Sequence, residues 1–175
     1  MGNRIIAVLF AGCACGMFAY AQAANVSAAD RRFMDKAAQG GIAEVQLGHL
    51  AEQKASSQAV KDFGKRMATD HSKVNDQLKN MASSDGVALP TSMDAKDQAL
   101  YNKLSGLSGP AFDRDYMRAM LKDHKADIAD FQKESQMAHS QGVRTFASDT
   151  LPTLEEHLHL AQQVDSKLTT RASAR

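Results

Sequence analysis

Asp62-Phe63-Gly64-Lys65-Arg66-Met67-Ala68-Thr69-Asp70-His71 returns, with changes, as Asp115-Tyr116-Met117-Arg118-Ala119-Met120-Leu121-Lys122-Asp123-His124. Acid, methionine, acid and histidine are identical in the two stretches, aromatic matches aromatic, and the apolar spacing continues to Leu78 and Phe131. In each stretch the aromatic, the Met and the His fall at i, i+4 and i+8, along one stripe of a helix. Both histidines therefore face the expected core. A single inward His is ordinarily a buried side chain satisfied by a neighbour. Two in matching positions suggest a shared centre.

Working outward, the 175-residue chain has the length of one domain with a sizeable core. Charged residues make up 23% of it, the formal net charge is +1, and there is no basic run interleaved with aromatics. The electrostatic footprint of nucleic-acid binding is missing. With no Trp, 6% aromatic residues and three prolines, the composition favours helix over strand. The fold class expected is all-α.

At the amino terminus, Arg4, the apolar and small-residue run Ile5 to Ala19 and the Ala21-Gln22-Ala23 exit read as a secretory signal over residues 1–23. The strongly apolar part, Ile5 to Phe10, is far shorter than the roughly 20 residues of a spanning helix. Lipoprotein processing at Cys13 fits less well, because Phe10 is a poor match to the usual aliphatic residue. Cleavage before Ala24 removes Cys13 and Cys15 together, so metal chemistry in the mature chain falls to His, Met and carboxylates. The expected location is the periplasm or the exterior, with no transmembrane segment in the mature chain.

After a short linker, 24–29, a domain is expected over 30–168. A first helix starts with Ser27 or Asp30 as cap and runs to about Lys54, with Phe33, Ala37, Glu44, Leu47 and Ala51 inward. Gly40 and Gly41 weaken it, a cost usually accepted where another backbone packs closely. Ser56-Ser57 forms a break and a new cap, and the second helix ends near Ala82. Val87 to Pro110, with Pro90, Gly106 and Gly109, is too long for a hairpin turn and reads as a crossover holding a short helix from Ser92 to Leu104. A third long helix starts near Pro110 and ends near His139. A fourth runs from Val143 to Leu168 with a kink expected at Pro152, and 169–175 is expected to fray. Two hairpins joined by a crossover give the topology of a ferritin-like four-helix bundle.

In that topology the depth of each inward polar residue follows from 1.5 Å of rise per residue. His71 and His124 each lie about 14 residues, roughly 21 Å, from the starts of their helices. His157 matches His124 across the second hairpin turn, and Glu44 matches His71 across the first to within about one helical turn. Glu44, His71, His124 and His157 form the expected metal site, imidazole and carboxylate suiting Fe, Cu, Zn or Mn. Met67 and Met120 lie one turn away and would favour copper if their sulfurs reached the centre. As Met is a habitual gap-filler, packing is the plainer reading. Asp70 and Asp123 are either acceptors that fix a His tautomer or surface charges. His49, His139 and His159 fall on polar faces. Binding is expected to weaken below about pH 6, where unperturbed imidazoles protonate.

Gly41-Ile42-Ala43-Glu44-Val45-Gln46-Leu47-Gly48, Met67-Ala68-Thr69-Asp70-His71, Phe112-Asp113-Arg114-Asp115-Tyr116-Met117 and Leu151-Pro152-Thr153-Leu154-Glu155-Glu156-His157-Leu158 together resemble the DUF4142 family of exported bacterial proteins of unknown function. The resemblance spans about Asp30 to Leu168 and implies a ferritin-like bundle without an established activity. Such proteins are often labelled outer-membrane proteins, but a membrane barrel needs alternating strands that this sequence lacks. The chain also departs from the di-iron ferritins, which carry Glu-x-x-His on two helices. Ala68 and Leu154 stand three residues before His71 and His157, and Glu156 with His159 has the spacing on the wrong face. Two functions remain: an exported metal-binding bundle, or a metal-free envelope interaction or stress protein whose polar cluster fixes helix packing. No catalytic motif supports an enzyme.

Overall fold

The computed structural model describes residues 26–173, so the signal expected over residues 1–23, with Cys13 and Cys15, lies outside the described residues. The chain is all-α: α1 Ala28–Lys54, α2 Gln58–Ser84, α3 Ala95–Ser105, α4 Gly109–Met137 and α5 Gln141–Ser173, with no strand among the described residues. None of these helices is long and apolar enough to cross a membrane. The crossover helix α3 is capped by Asp94, whose side chain accepts from Asp97 N at 2.8 Å. α5 continues through Pro152 to Ser173, so residues 169–173 prolong the helix where a frayed tail was expected.

The closest packing pairs α1 with α2 and α4 with α5; α2 also lies against α5, and α1 against α3 and α4. Two buried aspartates fix how the pairs meet. Asp30, early in α1, accepts from His139 N at 2.9 Å and Ser140 N at 3.0 Å in the α4–α5 turn. Asp113, early in α4, accepts from Ser56 N and Ser57 N, both at 3.0 Å, and from Ser56 Oγ at 2.6 Å in the α1–α2 turn. The start of each pair is thus tied to the turn of the other. Ser57 sits at the N-cap of α2, but its side chain makes no capping bond; its backbone N–H bonds instead to Asp113 on another helix.

These contacts expose a second repeat, at a register other than the offset that relates the stretches ending at His71 and His124. The two aspartates, and the turn residues they hold, stand 83 positions apart (30 to 113, 56 to 139, 57 to 140). At that offset Asp30-Arg31-Arg32-Phe33-Met34 aligns with Asp113-Arg114-Asp115-Tyr116-Met117, Val60 with Val143 and Phe63 with Phe146. All of the apolar members are buried. The α1–α2 pair and the α4–α5 pair are the repeating units.

Small residues set the closest approach of α1 to α2. A Cβ on Gly48 would stand 2.5 Å from Gly64 O and 2.9 Å from Ala68 N; one on Gly64 would stand 2.6 Å from Ala51 Cβ and 2.7 Å from Gly48 O. The backbone approach that Gly40-Gly41 was expected to mark therefore lies two turns further on. Gly40 has open space around its Cβ position, and Gly41 faces the Asn75 side chain. Because its obstacles are backbone atoms, Gly48→Ala should destabilise by about 1–3 kcal/mol from overpacking, more than the gain in helix propensity returns. Gly40→Ala, free of such contacts, should stabilise by about 1 kcal/mol. Urea midpoints of the two variants falling on the same side of the native protein would contradict this packing.

Two apolar clusters fill the interior. One contains Leu47, Leu50, Val60, Phe63, Met67, Tyr116, Met120, Ala161 and Val164; the other contains Phe33, Met34, Ala38, Leu78, Phe131, Phe146 and Leu154. Each long helix passes from one cluster to the other at its inward polar residue: α1 at Glu44, α2 at His71, α4 at His124 and α5 at His157. The four polar side chains share one level, as the helix depths predicted.

Candidate metal centre

The three imidazoles of that layer form a nearly equilateral triangle. Ring centroids are 5.8 Å apart for His71 and His124, 5.2 Å for His71 and His157, and 5.5 Å for His124 and His157. Each ring offers one nitrogen, and these atoms lie within 4.8 Å of one another. A tetrahedral ion with bonds of 2.0–2.1 Å needs donors about 3.3 Å apart, so the rings must close by about 1.5 Å at most. His124 and His157 are 0% exposed and His71 is 3% exposed.

On every ring one nitrogen is held from outside while the other makes no hydrogen bond. His124 Nδ1 lies 3.0 Å from Met120 O, His157 Nε2 lies 3.2 Å from Asp70 Oδ2, and His71 Nδ1 lies 2.7 Å from Glu44 Oε2. His71 Nε2, His124 Nε2 and His157 Nδ1 have no hydrogen-bond partner. A carbonyl or carboxylate on the outer nitrogen fixes the tautomer and turns the lone pair of the other nitrogen inward, the usual support of a metal-bound imidazole. Leaving a buried polar atom unsatisfied costs about 1–3 kcal/mol.

Of the four residues expected to ligate one ion, three converge, and Glu44 stands beside them. Its Oε2 faces the outer nitrogen of His71, and its Oε1, which has no hydrogen-bond partner, is 3.5 Å from His124 Nε2. Asp70 supports His157 on α5 and not its neighbour His71, because Arg66 and His157 both bond to its carboxylate. Asp123 is half-buried and groups with Glu44 and Asp127. Met67 and Met120 pack in the apolar cluster, and Met120 contributes its backbone carbonyl to His124. His49, His139 and His159 are exposed. The residue that the reading of the sequence missed is Asp127. Its signal was the i, i+3 spacing from His124, which puts both on one face of α4.

Burial dominates the electrostatics. It pushes His71 and His157 down to about 4 and lowers His124 as well, the attraction of Glu44 being outweighed there. Burial also raises Glu44 and Asp127, each reinforced by neighbouring carboxylates. For Asp70, burial would raise the carboxyl, but bonds from Arg66 and His157 hold it below its ordinary value. The imidazoles are therefore neutral at pH 7, the state in which they bind metal.

No curated protein and no solved structure matches the chain. A family model does: the one described as a domain of unknown function, DUF4142, covers residues 16–164. That span holds Glu44, His71, His124 and His157 together with Asp30 and Asp113, the two aspartates that join the helix pairs. The chain belongs to the DUF4142 family.

Proposed function

We propose that this protein is an exported ferritin-like four-helix bundle that binds a transition metal, Fe, Cu, Zn or Mn, through His71, His124 and His157, and that it sequesters or senses the metal in the cell envelope. The observation that carries the reading is the set of three buried nitrogens that make no hydrogen bond, each on a ring whose other nitrogen is already held. A polar layer that only fixed helix register would be expected to satisfy itself internally. Three protein ligands leave a coordination position for water or a small ligand. The signal-like segment at residues 1–23 supports export.

The test is metal analysis of untagged protein, followed by calorimetric titration of the metal-free form. At least one equivalent of Fe, Cu, Zn or Mn per chain is expected, and no uptake of any of them would overturn the reading in favour of a metal-free interaction protein.

Because burial pushes His71 and His157 down to about 4 and lowers His124 as well, binding should persist well below the pH 6 expected for exposed histidines. The metal-free fold behaves differently. Between 6.5 and about 4 the unfolded chain takes up protons that folded His71 and His157 refuse. The stability these residues contribute above pH 6.5 is thus lost as pH falls through that window. Raised Glu44 and Asp127 have the opposite slope, their contribution declining as pH rises from the ordinary carboxylate range. Titrations at several pH values should show affinity falling steeply only near pH 4; a fall centred on pH 6 would show that the imidazoles are solvated.

A further inference from the structure

Glu44 belongs to a second group. One carboxylate oxygen each from Glu44, Asp123 and Asp127 lie within 4.8 Å of one another. Glu44 is 3% exposed, its Oε1 has no hydrogen-bond partner and lies 3.5 Å from His124 Nε2, and its Oε2 lies 2.7 Å from His71 Nδ1, so the carboxylate stands between the imidazole layer and the two aspartates. A cavity of about 30 Å³ is lined by Glu44, His71 and Asp127, with the exposed Lys36–Asp130 pair at its rim. Such a space holds about two water molecules.

The cations nearby are exposed: Lys36, paired with Asp130, also attracts Asp127 and Asp123, and Lys96 lies 3.9 Å from Asp123. Among the described residues no lysine or arginine makes an ion pair with Glu44 or Asp127. Three carboxylates this close repel one another strongly unless protons or a cation neutralise them. The repeat explains how they come together: Glu44 follows Asp30 at the distance at which Asp127 follows Asp113, so the two occupy equivalent places in the two helix pairs.

We infer that Glu44, Asp123 and Asp127 form a second cation position, which takes a hard divalent ion such as Mn²⁺ or Fe²⁺ on oxygen, and that Glu44 joins it to the three imidazoles in one dinuclear centre. Oxygen-only donors select hard cations, whereas imidazole suits the later transition metals, so the two positions differ in preference. The inference rests on the tri-imidazole reading and adds to it.

Mn²⁺ titration of the untagged protein, read by bound-metal analysis and electron paramagnetic resonance, tests it. The native protein should bind two ions per chain with a spin-coupled signal. Asp127→Asn and Asp123→Asn, which preserve side-chain shape, should each bind one ion with an isolated six-line signal, circular dichroism showing both folded. One ion per native chain, unaffected by either substitution but lost in His124→Ala, would overturn the second position and leave the tri-imidazole site standing. No binding would overturn both.

Discussion

His124→Ala should abolish tight metal binding. The ring is fully buried, and its Nδ1 is held 3.0 Å from the Met120 carbonyl, so Nε2 is fixed in place. Two imidazoles cannot hold an ion as three do. Asp70→Asn, which weakens only the support of His157, should cost about 10–100-fold, the usual effect of losing an outer partner. His124→Ala should cost well beyond that. His49→Ala, His139→Ala and His159→Ala remove exposed rings and should leave affinity unchanged. Competition against a chromophoric chelator would rank the variants, and native-like affinity in His124→Ala would refute the centre.

The largest loss of stability is expected at Asp113→Ala, far from the imidazoles. That carboxylate is 2% exposed and accepts three bonds from Ser56 and Ser57. Bonds to a charged group contribute about 1.5–3 kcal/mol each, and truncation strands two backbone N–H groups in the turn. The bonds are not additive, and a net loss of about 3–5 kcal/mol is expected, the cost of breaking a buried network. For a chain of this length it should lower the melting temperature by on the order of 10 °C. Asp30→Ala should act similarly, since Asp30 completes the capping box with Ser27 and also holds the α4–α5 turn. A shift of under about 1 kcal/mol in either variant would place the joint between the helix pairs elsewhere.

The resemblance between the stretches ending at His71 and His124 is real in the fold, but its meaning differs from a unit repeat. α2 and α4 start at the same end of the molecule, where Asp113 meets the α1–α2 turn, so their histidines reach the same depth. The repeating unit is the helix pair, marked by Asp30-Arg31-Arg32-Phe33-Met34 and Asp113-Arg114-Asp115-Tyr116-Met117. That match was visible in the sequence. Its importance was not, because an aspartate near a helix start reads as a local cap until the structure shows it bonding to a turn more than fifty residues away.

The sequence by itself determined the all-helical class, the inward faces and the common level of Glu44, His71, His124 and His157, because periodicity and rise per residue are local properties of a helix. It located the three exposed histidines for the same reason. Only the tertiary structure decided which inward atoms meet. Depth along a helix does not specify the angle or reach of a side chain, so Glu44 could be placed at the right level but its contacts with His71 and His124 could not. Asp70 bonding to His157 and Asp127 beside Glu44 depend on how helices from separate pairs rotate against one another. That rotation is set by contacts between the pairs, such as Asp113 on the α1–α2 turn and Asp30 on the α4–α5 turn, and no single helix carries it in its own sequence.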